Sequence, residues 1–201
     1  FNVKRGIEGL RKTGDITASL ALEYCHAHDM EFFLSLRMND IHDSFNPFMF
    51  SQWKWEHPEY LFGPKSLNYE FPEVREYIYR ILESFCRRFD LDGIELDWWR
   101  GPRAFPPSWV GKPVTAAHLT MMNDLMRHIR IMTERVGEQR GRPLLVAVRT
   151  PMSVETSLKL GFDLKTWLKE DLIDVLTVGG GYVPMAIVSS EMNASGAAVG
   201  A

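Results

Sequence analysis

Short apolar runs alternate with longer segments of helical period along the chain. Residues 31–38 (EFFLSLRM), 92–97 (DGIELD), 144–149 (LLVAVR) and Val175–Gly179 (VLTVG) are short, mostly apolar and bounded by polar, Gly or Pro residues. They read as four buried parallel strands. A helical pattern precedes each strand. Residues 16–28 follow Asp15 as a cap. Pro72–Arg88 opens with Pro in its first turn, and Val74, Tyr77, Ile78, Ile81, Leu82, Phe85 and Phe89 fall on one stripe. Residues 115–136 carry Leu119, Met122, Met126 and Ile129 in the same way. Residues 153–160 end at Gly161, and Asp163 can cap a short helix through Lys169.

Strands alternating with helices imply parallel βαβ units and the α/β class. No Gly/Ser linker divides the chain, so residues 1–201 read as a single (β/α) barrel domain fragment. The expectation is a partial (β/α)8 TIM barrel with about four parallel strands and outer helices. It is read as truncated at both ends, since a full barrel typically needs about 250 residues. The first helix has no strand before it, and residues 189–201 read as a helix-like segment with no strand after it. A doubly wound open sheet is the alternative. Against it, no Gly-rich phosphate turn follows any strand, and the Gly179-Gly-Gly181 run lacks the required spacing.

The second strand departs from an apolar core pattern. Side chains alternate, so Ile94 and Leu96 share one face while Glu95 and Asp97 share the other. A carboxylate in a dry interior is costly unless paired, so that face must look onto a lumen, a cleft or a cation. The same parity sends Ser35, Arg37 and Asn39, then Ala147 and Arg149, then Thr177 and Gly179 inward. Arg37 and Arg149 then balance Glu95 and Asp97. Asp97 stands at the carboxyl end of its strand, where barrel active sites lie. Trp98, Trp99 and Arg100 follow it and suit a ligand with both polar and apolar surface.

The segment from Asn39 to about Phe71 is far longer than an ordinary connection, and long loops at that end of a barrel tend to be functional. It holds Asn39, Asp40, His42 and Asp43, then Phe45, Phe48, Phe50, Trp53, Trp55, Tyr60 and Phe62. Flat aromatic faces stack on the C–H faces of sugars, while carboxylates and amides bind hydroxyls. The competing reading makes these rings a satellite core under the loop. Tyr182 follows the last strand as a further binding candidate.

The 201 residues carry a net charge of −3 with a pI near 6.1, which gives no basic footprint for nucleic acid. No apolar run reaches the roughly 20 residues of a membrane span. No leader peptide is visible at Phe1, and an extracellular or periplasmic setting remains compatible. Cys25 and Cys86 sit in helical patterns and read as buried free thiols. His26 and His28 are two apart on a helix and do not share a face. No cofactor is implied, and the oligomeric state is left open.

Two stretches carry a resemblance. Leu67-Asn-Tyr-Glu-Phe-Pro-Glu-Val-Arg75 and, after a helix, Phe89-Asp-Leu-Asp-Gly-Ile-Glu-Leu-Asp-Trp-Trp-Arg-Gly-Pro102 resemble the glycosyl-hydrolase-like family 10 proteins. These are carbohydrate-active TIM barrels found largely in bacteria. Residues 37–43 and 161–174 fit the same type of barrel, and the likeness covers roughly residues 16–185. The second strand is also similar to the chitinase-type signature Asp-Gly-x-Asp-x-Asp-Trp followed by a catalytic Glu. Asp92, Gly93, Asp97 and Trp98 match it, Glu95 replaces the middle Asp, and Trp99 stands where the acid would be. That departure argues against a substrate-assisted chitinase mechanism.

The resemblance implies a glycoside hydrolase acting on a polysaccharide or oligosaccharide through carboxylates. Asp97, Glu95 and Asp40 are the catalytic candidates, and Asp97 pairs best with a carboxylate from another strand or loop, Asp40 or Asp43. Arg37, Asn39, His42, Asp43, Trp53, Trp98, Arg100, Arg149 and Tyr182 are the substrate-binding candidates. Glu95, one layer deeper than Asp97, is expected to reach a substrate poorly. Two other classes stay open: a non-catalytic carbohydrate-binding barrel, and a metal-dependent hydrolase or isomerase using Asp40, His42 and Asp43.

Overall fold

The computed structural model describes residues 17–46, 48, 50–151, 153–179 and 198–200, the last three as backbone. Helix α1 (Thr17–Ala27) leads to strand β1 (Phe33–Arg37). The long loop that follows has structure of its own: helix α2 (Gln52–Glu56) and a small antiparallel hairpin of β2 (Leu61–Phe62) and β3 (Ser66–Leu67). Helix α3 (Pro72–Arg88) begins at the expected proline, and it buries Val74, Ile78, Leu82 and Cys86 at a spacing of four. Strand β4 (Gly93–Asp97), the single turn α4 (Pro106–Trp109) and helix α5 (Ala116–Arg140) come next. Strand β5 (Leu145–Pro151), helices α6 (Val154–Leu160) and α7 (Leu164–Lys169), and strands β6 (Val175–Gly179) and β7 (Ala198–Gly200) complete the order.

The parallel strands lie side by side in chain order, β1-β4-β5-β6-β7. Ile94 and Leu96 of β4, Val146 and Val148 of β5 and Leu176 of β6 are buried with the apolar stripes of α3 and α5 in one core. The opposite face carries Ser35, Arg37, Glu95, Arg149 and Thr177, all at least partly exposed. Unreversed strand order with helices on one face is the winding of a (β/α) barrel segment. A doubly wound sheet reverses its order and takes helices on both faces. Residues 198–200 correct the reading of the tail as helix-like without a strand: their backbone pairs in parallel with Val175–Thr177. Helix α5 also runs to Arg140 rather than 136, stopped by Gly141 in the left-handed region at φ 72°.

Half-buried charge staples the amino ends of the strands. Asp92 accepts from the Phe32 N–H at 2.8 Å, lies 2.9 Å from His26 Nε2 and takes Arg142 Nη1 at 2.6 Å. Burial alone would raise this carboxyl, but those partners outweigh it and hold it below its ordinary value. Asp174 does similar work beneath β5, accepting from Val146 N at 2.7 Å and Arg130 at 3.0 Å. Arg140 donates to the carbonyls of Cys86, Phe89 and Leu91, closing the turn between α3 and β4. Cys25 and Cys86 are free thiols, and burial pushes the Cys86 thiol up to about 12. No described helix is long and apolar enough to cross a membrane.

Candidate active site on the open face of the sheet

The register of the strands builds the site. Arg37 of β1 lies opposite Asp97 of β4, which lies opposite Arg149 of β5, which lies opposite Thr177 of β6. One layer toward the amino ends stand Ser35, Glu95 and Ala147. Arg149 reaches both carboxylates, with Nη2 at 3.1 Å from Glu95 Oε2 and Nη1 at 3.8 Å from Asp97 Oδ2. Ser35 Oγ donates to Glu95 Oε1 at 2.7 Å. The expected cation–anion layer is therefore assembled, but Arg37 turns along the rim toward Asp40, at 3.6 Å.

The two acids differ in access, in the reverse of the expected sense. The Asp97 side chain is 4% exposed and that of Glu95 15%. Asp97 Oδ1 accepts from the N–H groups of Trp99 and Arg100, at 3.0 and 3.1 Å, so the turn leaving the strand folds over it. Glu95 sits one layer deeper and is nonetheless the more exposed of the two.

The adjacent tryptophans part company. Trp98 is fully buried on the helix side, its ring 5.3 Å from Tyr69 and 4.9 Å from Phe162. It was a candidate ligand contact, and the geometry makes it a core residue. Trp99, absent from the candidate binding set, lies on the carboxylate side across β6. A Cβ placed on Gly179 would meet its Cγ at 3.2 Å and its Cδ1 and Cδ2 at 3.3 Å. Arg100 is exposed on the same turn. Gly101, at φ 114°, lets that turn pass against the Asn39 carbonyl, where a Cβ would come within 2.1 Å.

The loop after β1 divides its candidates. Asn39 is buried, and its amide is fully engaged by backbone: it donates to the carbonyls of Leu67 and Arg103 and accepts from Leu67 N. Tyr69 donates its hydroxyl to the Met38 carbonyl, and burial pushes its phenol well above the ordinary value. Asp40 stays at the rim, 2.5 Å from His42 Nδ1. Asp43 turns inward to an ion pair with Lys54 at 2.7 Å, the two side chains 12% and 8% exposed. Among the described residues no three His, Cys, Asp or Glu side chains converge as a metal site would need. Trp53 stacks on Tyr77 of α3 at 4.2 Å and on Tyr60 at 5.8 Å, the satellite-core arrangement. Trp55 and Phe45 remain largely exposed. Tyr182 lies outside the described residues.

Two further polar pairs carried no signal in the sequence. Besides Lys54–Asp43, His118 accepts from Thr115 N at 2.9 Å through Nδ1 and meets Glu70 at 2.8 Å through Nε2. That ties the start of α5 to the segment before α3. Replacing Lys54 with methionine is expected to destabilise the fold by about 3–5 kcal/mol, because Asp43 is left buried and uncompensated. Urea denaturation checks it, and adding Asp43→Ala to Lys54→Met should restore part of the loss. Equal stability of Lys54→Met and wild type would rule out a structural pair.

No family model matches the chain, and no curated protein matches it. The solved structures it is similar to include glycoside hydrolases. A family 18 N-acetylglucosaminidase from Paenibacillus barengoltzii aligns at 14% identity and a TM-score of 0.47, over 81% of this chain and 40% of that one. A chitinase from Bacillus thuringiensis aligns at 15% and 0.43, over 80% and 21%. An alpha-amylase from Anoxybacillus aligns at 17% and 0.42, over 80% and 32%. The chain thus spans at most about two fifths of these enzymes, the largest share being 40%. At these scores the likeness assigns neither substrate nor residue, and the resemblance to the family 10-like group rests on its motifs.

Proposed function

We propose that the chain carries the carboxylate site of a glycoside hydrolase that cleaves a polysaccharide or oligosaccharide by acid/base catalysis. The observation that carries this reading is a pair of strand-borne carboxylates on an open sheet face, bridged by one guanidinium, Arg149. In an inverting glycosidase the acid stands about 6.5–9.5 Å from the carboxylate that activates water, so the partner acid of this pair would lie across the sugar from it. Glu95 and Asp97, both within reach of the Arg149 guanidinium, are the groups to orient the attacking water or to stabilise developing positive charge on the sugar. The proton for the leaving oxygen then comes from the rim, where Asp40 is hydrogen-bonded to His42. Asp43 drops out of this set because Lys54 holds it inside the loop.

The second reading, a non-catalytic carbohydrate-binding barrel, is favoured by one observation. The backbone N–H groups of Trp99 and Arg100 both donate to Asp97 Oδ1, as in a purely structural turn. Glu95→Gln separates the two. Under the catalytic reading, reducing-end release from an oligosaccharide panel falls about 10²-fold or more while binding persists. Under the binding reading, the wild-type protein binds a glycan on that panel and releases no reducing ends.

A further inference from the structure

Trp99 stands in a position that the carboxylate chemistry does not use. Three atoms of its five-membered ring are nearly equidistant from the point where a Gly179 Cβ would sit, at 3.2, 3.3 and 3.3 Å. A point equidistant from three bonded ring atoms lies over the face of the ring, not at its edge. The face of the indole therefore packs against β6 at Gly179, where a Cβ would require the ring to give by a few tenths of an ångström. Among the described residues no aromatic ring stacks on its other face, and no hydrogen bond engages its N–H. That N–H is also not among the buried polar atoms left without a partner, whereas the Trp98 N–H is. Among the described residues Trp99 is thus a half-buried indole with no ring partner on its second face and no hydrogen bond at its N–H, on the turn that leaves Asp97.

We infer that Trp99 is the stacking platform for a gluco-configured pyranose ring at this site, an inference that rests on the glycosidase reading. Such a ring carries its hydroxyls equatorially, so each broad face presents only axial C–H groups. These pack on an aromatic face, while the ring's edge meets the indole N–H and the nearby charges. The turn that brings Trp99 over β6 is the same one whose N–H groups cap Asp97. The platform and the carboxylate are therefore set by one local structure.

The test titrates the intact protein with cellohexaose and with chitohexaose, using calorimetry and the indole N–H signals of ¹⁵N-labelled protein. The Trp99 signal is identified by its loss in Trp99→Phe, and it should shift on addition of at least one of the two sugars. Trp99→Ala should weaken that binding about tenfold or more, while Trp99→Phe should hold it within about threefold. Gly179→Ala, whose added methyl presses on the face of the indole, should weaken binding with Trp99 still present and carries the test if Trp99→Ala does not fold. Unchanged affinity in Trp99→Ala overturns the inference and leaves the carboxylate reading standing. Failure of both hexasaccharides to bind the wild-type protein overturns the gluco-pyranoside assignment, whether or not another glycan is cleaved.

Discussion

Asp97→Asn is expected to lower glycan hydrolysis by about 10²–10⁴-fold with the fold intact, the range associated with loss of a positioned acid or base. The asparagine side chain keeps an Oδ1 in place, so the N–H groups of Trp99 and Arg100 retain their acceptor. What disappears is the negative charge on Oδ2, 3.8 Å from Arg149. Arg149 is 38% exposed and keeps Glu95 as a partner, so the structural loss should stay below about 1 kcal/mol. For a chain of this size that is a melting shift of roughly 2–4 °C. The measurement pairs initial rates of reducing-end release with a melting curve on the same preparation. Asp97→Ala is the useful contrast, because it strips both N–H groups of their acceptor and should lose stability as well as rate. An Asp97→Asn protein that turns over at the wild-type rate removes Asp97 from the chemistry and reduces it to a turn former.

Much of this arrangement was written in the alternation of β4. Glu95 and Asp97 on one side and Ile94 and Leu96 on the other are where the pattern put them. Continued for two residues, the same alternation sends Trp98 to the core face and Trp99 to the carboxylate face, as the structure has them. Reading the pair as one aromatic cluster obscured that. Asp92 and Gly93 of the signature turn out to be architectural. Asp92 staples β1 and the α5–β5 turn, and Gly93 leaves space for the Phe33 ring, which a Cβ would meet at 2.1 Å. The long loop was legible as an outlier in length but not in its contacts. Lys54 and Asp43 are eleven residues apart on two separate short helical turns, which no shared periodicity relates. The strand at Ala198–Gly200 offers a single β-branched residue, Val199, between an alanine and a glycine, too short a run to stand out as a strand. The end of α5 is marked by Gly141, a local stop signal that was readable in the sequence, and is reinforced by the reach of Arg140 to three carbonyls across the α3–β4 turn, which is a tertiary fact.

A large stability effect is expected at the other tryptophan. Trp98 is 0% exposed and fills the space between Tyr69 and Phe162. Truncation to alanine should cost about 3–5 kcal/mol, since the surrounding rings collapse only partly into the space it leaves. That corresponds to a melting point lower by roughly 6–20 °C at about 2–4 °C per kcal/mol. Trp98→Phe should behave quite differently. It gives up part of the ring volume, but it also removes a buried indole N–H that has no partner, a group whose burial costs about 1–3 kcal/mol. The two terms oppose each other, so Trp98→Phe should lie within about 1.5 kcal/mol of wild type. Thermal and urea denaturation of both variants, set beside Trp99→Ala, give the decisive contrast. The first position should govern stability with little effect on sugar affinity in the protein that remains folded, and the second should do the reverse. If Trp98→Ala melts with the wild-type protein, the core packing assigned to β4 is wrong, and with it the assignment of which face of the strand looks onto the site.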